Sequence, residues 1–311
     1  MHRHNIPTAR YENFTTYEAA AAHVESVSYP VVIKADGLAG GKGVIIPRDK
    51  AEATQALKDV MQARDFGAAG DAVVVEELLQ GEEISILSLS DGHSLVSLPA
   101  AQDHKRIGEG DAGPNTGGMG TYAPTPLVSA AQLAEIERTV LKPTIDGLRK
   151  EGMRFVGCLF TGFMLTTDGP RVLEYNVRFG DPETQSCLTL LESDLAELMV
   201  ACCEGKLEGV EAQVREGSAC TVVVAARGYP GGYKKGTKMD VKEAEEEGVF
   251  VFHAGTDEKD GQVVTSGGRV AAVTAIGKNL KEAVDRCYGS MGLVGFEGMQ
   301  YRRDIAARAL K

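Results

Sequence analysis

Apolar runs separated by glycine, proline and polar stretches divide the chain into short strands and helices. Val31–Ala35 and Val44–Ile46 are apolar runs that predict strands on either side of a glycine-rich stretch. Thr15 and Thr16 can cap a helix that alanines continue to Val27, and Asp49 can begin another that reaches Arg64. The first part of the chain is therefore predicted to mix helices and strands.

The same reading extends to the rest of the chain. Further strands are predicted at 72–79, 81–89, 95–98, 155–165, 171–176, 219–226, 249–253 and 269–276, and further helices at 129–151, 194–204 and 280–288. Residues 102–126 are polar and glycine-rich and predict a long loop, which inside a domain is usually functional or disordered. Residues 205–217 turn charged and glycine-dotted, which predicts a domain junction.

Composition limits the classes of function. The chain has 311 residues, which suggests two domains or more, and a formal net charge of −11, which argues against a general nucleic-acid-binding surface. No apolar run is long enough for a membrane span and the first residues have no signal core, so a soluble cytoplasmic protein with no membrane partner is expected. The six cysteines form no C-x-x-C pair and are expected to be small buried residues in a reducing compartment.

The segment from Leu173 to Thr184 carries the most informative chemistry. An apolar strand ends in Glu174 and Asn176. These residues are two positions apart and therefore point to the same face of the strand, and Arg178 follows on that face. Carboxylate and amide oxygens are ligands that Mg²⁺ accepts beside substrate phosphates, and an arginine there can stabilise developing negative charge. An ordinary strand end with a structural ion pair is the alternative.

A glycine-rich stretch between two predicted strands can bind phosphate. Four glycines lie between Asp36 and Val44, with Lys34 before them and Lys42 among them. Such a backbone can present N–H groups to phosphate oxygens while the lysines neutralise charge. It is not a Walker A loop, because no Gly-Lys-Ser/Thr leads into a helix, and a structural hairpin is the alternative.

Two further segments carry polar groups in a suggestive order. Val75–Ser85 reads as a strand, a polar hinge and a second strand, where backbone groups can bond an adenine edge and a carboxylate can hold ribose hydroxyls. Gln102–Gly120 places His104, Lys105 and Arg106 before a glycine-dense loop that can close over an anionic substrate. The alternatives are an edge hairpin and a surface loop, and His104 is either a general base or a hydrogen-bonded loop histidine.

Taken in order, these four segments resemble the ATP-grasp fold, and more narrowly the phosphoribosylamine–glycine ligase (glycinamide ribonucleotide synthetase) family. The runs that carry the resemblance are Gln102–Gly120 and Glu174–Thr184, and it extends through Gly298–Ile305. The resemblance implies an α+β architecture: two α+β lobes that clamp ATP, in residues 1–216, with a smaller lobe at about 27–80. A small mixed C-terminal domain would occupy 217–311.

The resemblance also implies a reaction and its residues. Glycine would be joined to 5-phosphoribosylamine through a glycyl phosphate in purine synthesis, with ATP as co-substrate and Mg²⁺ or Mn²⁺. Lys34, Gly40, Gly41, Lys42 and Gly43 would contact the phosphates, Glu76, Glu77 and Leu79 would form the adenine hinge, and Glu83 would bind ribose. Glu174 and Asn176 would hold the metal and Arg178 and Lys105 would be catalytic, with Asp103, Arg106, Gly117, Gly118, Met119 and Asp181 as substrate contacts.

Two features of the resemblance leave alternatives open. Family members carry an additional N-terminal nucleotide-fold domain whose glycine-rich fingerprint is not found here, so the chain is expected to lack it. In many eukaryotes the ligase is fused to further purine-pathway activities, so the resemblance also allows this chain to be part of a longer multifunctional purine-pathway polypeptide. A related carboxylate–amine ligase with another acceptor, or a non-catalytic remnant that needs the missing domain or a partner, are the other hypotheses.

Overall fold

The computed structural model describes residues 1–37, 39 and 43–310. Their contacts group into two compact units. The smaller unit comprises Pro7–Glu82 and Met164–Leu173, and the larger unit comprises Met1–Ile6, Glu83–Phe163 and Glu174–Lys311. This grouping places the predicted C-terminal domain in one unit with much of residues 83–216; the division at 216/217 stays a prediction.

The smaller unit is a four-stranded antiparallel sheet with two helices. Its strands are β1 (Tyr11–Phe14), β2 (Val31–Ala35), β3 (Val44–Ile45) and β4 (Val73–Glu77), in the order β1-β4-β2-β3, and its helices are α1 (Tyr17–Ser26) and α2 (Lys50–Met61). Asp49 caps α2 by accepting the Glu52 N–H at 2.8 Å. The apolar faces of sheet and helices meet in a core that includes Ile33, Leu57 and Val75.

The larger unit begins with strands on both sides of the predicted loop. Its first elements are β5 (Glu82–Ser90), β6 (Leu95–Ser97), β7 (Gln102–Asp103), β8 (Arg106–Gly108), β9 (Ala112–Asn115), β10 (Gly120–Ala123), α3 (Ala130–Ile136), α4 (Lys142–Lys150), β11 (Gly157–Thr166) and β12 (Gly169–Asn176). A π-helical turn, Glu137–Leu141, joins α3 to α4, and the sheet order is β12-β11-β5-β6. The ends of β11 and β12 at Met164–Leu173 are grouped with the smaller unit.

The remaining elements complete this unit. They are α5 (Glu183–Leu190), α6 (Leu195–Glu204), β13 (Ser218–Ala226), β14 (Met239–Val241), β15 (Val249–His253), β16 (Thr256–Lys259), β17 (Gln262–Thr265), β18 (Arg269–Gly277), α7 (Leu280–Gly289), β19 (Val294–Phe296) and β20 (Met299–Gln300). A six-stranded sheet has the order β15-β18-β13-β10-β7, with β20 also paired to β13. Strands from before and after residue 217 therefore share one sheet.

Several predictions from the pattern of residues were wrong in detail. The predicted loop 102–126 contains four short strands, β7 to β10, because its backbone pairs with itself and with β13. Helix α5, strand β1 and the pair β16–β17 were not predicted. Five cysteines are buried as expected, but Cys203 is exposed near the end of α6. No helix among the described residues is both long and apolar enough to cross a membrane.

The segment that follows β20 is tied to the 103–111 region by polar groups. Arg302 is almost fully buried and donates to the Asp304 carboxylate, to Asp111 Oδ1 at 2.8 Å and to the Arg106 carbonyl at 3.1 Å. His104 lies beside this network, with Nδ1 at 3.2 Å from the Gly120 carbonyl and Nε2 accepting the Ala306 N–H at 3.2 Å. His104 is thus a hydrogen-bonded structural histidine.

The pH dependence of stability follows from this environment of His104. Burial, helped by the charges of Arg308 and Arg302, lowers the pKa of His104 to about 4. A histidine in the unfolded chain has a pKa of about 6.5. Between that pH and about pH 4, the unfolded state binds a proton at His104 and the folded state does not. Stability is therefore lost across that window, by up to about 3 kcal/mol at its acidic end.

We predict that His104→Asn is less stable than the wild type at pH 7 and that the gap narrows by about 2 kcal/mol at pH 4.5. The measurement is the free energy of unfolding by urea at both pH values. The control is His253→Asn, at an exposed histidine whose Nδ1 lies 3.1 Å from the Thr256 hydroxyl, and it should keep the wild-type pH dependence. If the difference in unfolding free energy between His104→Asn and the wild type were the same at both pH values, the lowered pKa of His104 in the folded state would be contradicted.

Candidate active site

In the smaller unit, two of the predicted nucleotide residues contact each other. Lys34 on β2 and Glu76 on the neighbouring β4 form an ion pair of 2.7 Å, and both side chains are largely shielded from solvent. The Lys34 ammonium also donates to the Leu173 carbonyl at 3.2 Å. These contacts hold the Lys34 charge at a fixed position on the sheet.

The end of β4 carries the other predicted hinge residues. Glu77 accepts two hydrogen bonds from the Arg10 guanidinium at 2.9 and 2.8 Å, and these hydrogen bonds lower the pKa of the Glu77 carboxyl. Leu79 follows the strand and is half-buried. The structure therefore places Glu76, Glu77 and Leu79 together, with the Glu77 side chain occupied by Arg10.

Gly43 borders the predicted phosphate-binding stretch. Its carbonyl accepts the Ala35 N–H at 2.8 Å, and a Cβ at this position would lie 2.7 Å from the Ala39 Cβ. Glycine is required there by this close approach. The other predicted phosphate contacts, Gly40, Gly41 and Lys42, lie outside the described residues.

In the larger unit, β12 ends at Asn176 as the predicted metal strand requires. Glu174 and Asn176 alternate onto one face, and Arg178 Nη2 lies 3.5 Å from Asn176 Oδ1 while Nη1 donates to the Phe179 carbonyl at 2.9 Å. Within the described part of the chain, no three His, Cys, Asp or Glu side chains are placed to hold a metal by themselves. A cation here would need further oxygens, as from a phosphate group.

Lys105 lies among carboxylates in the same unit. Its ammonium is 2.7 Å from Glu83 Oε2. Burial alone would lower the pKa of Lys105, but the charges of Glu83, Glu174 and Asp103 outweigh it and raise the pKa. Lys105 therefore remains a cation at neutral pH, suited to stabilising negative charge and unsuited to accepting a proton.

Two enclosed carboxyl groups lie next to Lys105. Burial raises the pKa of Asp103 well above its usual range, and the charge of Glu183 raises it further. Burial also raises the pKa of Glu183, which is 3% exposed and accepts the Ser85 hydroxyl at 3.2 Å. Glu183 was missed as a site residue, although the Asp-Pro-Glu run before α5 was a visible signal.

The glycine-dense loop meets the turn that follows β12 through an arginine from β18. Arg269 Nη1 donates to the Gly117 carbonyl at 2.8 Å and to the Asp181 carbonyl at 2.7 Å. Its Nη2 donates to Asp181 Oδ2 at 2.9 Å. Three predicted substrate residues, Gly117, Gly118 and Asp181, are thereby brought together. Arg269 was missed because only tertiary structure brings residue 269 to this loop, although the preceding Gly267-Gly268 was a local signal.

Two predicted substrate contacts, Arg106 and Met119, make contacts within the protein. Arg106 Nη1 donates to the Gly113 carbonyl at 2.8 Å, closing the β8–β9 hairpin on itself. Met119 is fully buried, and its backbone N–H and carbonyl are bonded to His104 and Val223. Their role as substrate contacts stays a prediction.

Comparison with known proteins gives the family. Residues 1–184 match the family described as phosphoribosylglycinamide synthetase, ATP-grasp (A) domain, and residues 219–308 match phosphoribosylglycinamide synthetase, C domain. The ATP-grasp name confirms the predicted fold class.

Individual relatives agree with this match. A bifunctional purine biosynthetic protein of Pichia angusta is 57% identical over 313 residues, covering 100% of this chain and 40% of the relative. A phosphoribosylamine–glycine ligase of Caldanaerobacter subterraneus is 48% identical, covering 99% of this chain and 73% of the relative. The crystal structure of a Thermotoga maritima phosphoribosylamine–glycine ligase superposes with a TM-score of 0.91 at 39% identity, covering 98% of this chain and 76% of that one.

The chain thus spans less than half of the bifunctional relative and about three quarters of the bacterial ligase. Two family matches in the expected order, which together cover most of its residues, identify it: the chain belongs to the phosphoribosylglycinamide synthetase family.

Proposed function

We propose that this chain carries the ATP-binding and acceptor-binding residues of a ligase that joins glycine to 5-phosphoribosylamine in purine synthesis. The observation that carries the proposal is the position of Lys105, whose ammonium lies 2.7 Å from Glu83 Oε2 and interacts with the charges of Glu174 and Asp103. This arrangement places a positive charge for a phosphoryl group, on Lys105, near carboxylate oxygens for a metal ion, on Glu174, and for an amine, on Asp103. The family match and the 48% identical relative named phosphoribosylamine–glycine ligase support it.

The reaction has two steps. A carboxylate oxygen of glycine attacks the terminal phosphorus of ATP, releasing ADP and forming glycyl phosphate. The amine nitrogen of phosphoribosylamine then attacks the acyl carbon, phosphate leaves and the amine loses a proton. Both steps need positioning and charge screening more than covalent participation by the protein. Arg178 and Lys105 would stabilise the negative charge on the transferred and departing phosphoryl group.

A divalent cation fits the end of β12. Glu174 and Asn176 offer one carboxylate and one amide oxygen, and Mg²⁺ or Mn²⁺ in such sites takes its remaining ligands from phosphates and water. Glu174 and Asn176 would hold the ion, and the ion would neutralise negative charge on the phosphates.

The nucleotide residues keep the roles that the resemblance implies. Lys34 and Gly43 would contact the phosphates, together with Gly40, Gly41 and Lys42 on sequence grounds; Glu76, Glu77 and Leu79 would hold adenine, and Glu83 would bind ribose. The Lys34–Glu76 ion pair supports a fixed cation for phosphate binding. The Glu83–Lys105 ion pair would keep the carboxylate that binds ribose next to the lysine that binds a phosphoryl group.

The acceptor residues are Asp103, Asp181 and the backbone of Gly117 and Gly118. An enclosed carboxyl such as Asp103 can accept a hydrogen bond from an amine or ammonium group of a substrate.

The free and mostly buried cysteines fit a protein of the reducing cytoplasm, where we place this chain.

The decisive experiment measures phosphate release from Mg-ATP with glycine and freshly prepared phosphoribosylamine, omitting each in turn. Release that requires all three supports the ligase. Release with other amines in place of phosphoribosylamine would favour a related ligase with a different acceptor. No release, together with normal ATP binding, would favour the alternative of an incomplete ligase fragment, to be retested in a longer chain.

We predict that Lys34→Ala weakens ATP binding about tenfold or more, because it removes a cation from the phosphates and leaves Glu76 unpaired. The measurement is the Kd for ATP by calorimetry. Lys50→Ala is the matched control, since Lys50 also donates to a backbone carbonyl, that of Glu25, in the same unit. Equal weakening by both variants would contradict a specific role for Lys34.

We predict that Glu174→Gln lowers metal-dependent turnover by about a hundredfold, because the substitution removes the negative charge of the carboxylate and a neutral amide oxygen binds Mg²⁺ more weakly than a carboxylate does. The Kd for ATP measured with EDTA should stay within about twofold of the wild type, because EDTA removes the metal ion through which Glu174 would act. The exposed Glu208→Gln serves as the control. Loss of metal-free ATP binding would show that Glu174 acts otherwise.

A further inference from the structure

The region after residue 217 supplies two side chains to the glycine-dense loop. Arg269, at the start of β18, donates four hydrogen bonds: to the carbonyls of Gly117, Gly118 and Asp181 and to the Asp181 carboxylate, at 2.7 to 3.3 Å. Tyr229 accepts the Gly117 N–H on its hydroxyl at 2.9 Å. Both backbone groups of Gly117 are thus bonded to side chains more than a hundred residues away.

The glycines of the loop are shaped by these contacts. A Cβ on Gly117 would lie 2.9 Å from the Arg269 guanidinium carbon. A Cβ on Gly118, where φ is +115°, would lie 2.4 Å from Pro182 and 2.8 Å from the Asp103 carboxylate. The loop therefore packs directly between Arg269, the Asp181–Pro182 turn and Asp103, and at Gly118, where φ is positive and Pro182 is close, only glycine fits.

The charge of Arg269 is well matched to this position. Its side chain is 19% exposed and its ion pair with Asp181 is 2.9 Å. A planar guanidinium can serve several carbonyl and carboxylate oxygens at once, which an ammonium cannot. Hydrogen bonds from a charged donor are also stronger than those between neutral groups.

We propose that Arg269 and Tyr229 are positioning residues that hold the Gly117–Gly118 loop on the Asp181 turn and so set the acceptor side of the site. The loop and Asp181 meet through Arg269, and Asp103 contacts the same loop. The C-terminal region is then part of the site and not only a support for it. The acceptor role rests on the proposed ligase function; the hold on the loop does not.

The first test follows amide hydrogen exchange in the loop peptides covering 105–120, without any substrate. Arg269→Gln should speed exchange in the loop about tenfold or more, and Arg269→Lys should give an intermediate rate. Tyr229→Phe should speed the Gly117 amide most, since only its acceptor is removed. Gly117→Ala should loosen the loop from the other side by displacing the guanidinium.

Two matched controls come from the same unit. Arg286 also donates to a carboxylate, Glu246, and to two backbone carbonyls, so Arg286→Gln removes a comparable set of contacts away from the loop. Tyr233→Phe removes a hydroxyl from the ring that faces Tyr229. Both should leave loop exchange within about twofold of the wild type. Wild-type exchange in Arg269→Gln and Tyr229→Phe, or equal acceleration in Arg286→Gln, would overturn the hold.

The second test separates the acceptor side from the nucleotide side. In Arg269→Gln the KM for glycine or for phosphoribosylamine should rise about tenfold while the KM for ATP stays within about twofold, with partial recovery in Arg269→Lys. A parallel rise in all KM values would overturn the acceptor role. Absence of turnover in the wild type would overturn that role together with the proposed function, and the exchange rates would still decide whether the hold exists.

Discussion

The pairing of β10 with β13 is the contact on which the larger unit depends. It joins Gly120–Ala123 to Ala219–Val222 in antiparallel register, and β7 on one side, β18 and β15 on the other, and β20 beside β13 complete a six-stranded sheet. Without β13, the β7–β10 pair would be a two-stranded ribbon with a row of unpaired backbone groups, which is marginally stable in water. The loop between β7 and β10 is therefore fixed at its base by residues from nearly a hundred positions further along the chain.

Polar contacts complete what the sheet begins. Buried Arg302 ties the segment after β20 to Asp111 and to the Arg106 carbonyl, and neutral His104 accepts a backbone N–H from Ala306. Removing one partner from such a buried network leaves a charge or a polar group unsatisfied, which is more costly than the net contribution of the pair. The loop is held at several points, so a glycine-rich stretch that could be a flexible linker instead has a defined conformation.

Much of the fold and part of the site could be predicted from the sequence. The predicted strands at Val31, Phe155 and Arg171 and the helix after Ser129 were confirmed, because their apolar runs and capping residues are local signals. The short strands inside 102–126 could not be predicted, since residues such as Gly120 have no β-propensity and pair only because β13 lies beside them. The raised pKa of Lys105 could not be predicted either, because it depends on the carboxylates of Glu83 and Glu174, which are distant in sequence.

The sequence by itself determined the family, the order of the elements and the residue types of the site. Those properties are local: a strand ending in Glu174 and Asn176, or a lysine beside a glycine-rich stretch, can be recognised from neighbouring residues alone. Only the tertiary structure decided what each of these side chains contacts within the protein. Met119 lies fully buried, and Arg269 joins the loop, because burial and hydrogen bonding depend on chain segments that approach each other only when the sheet has formed.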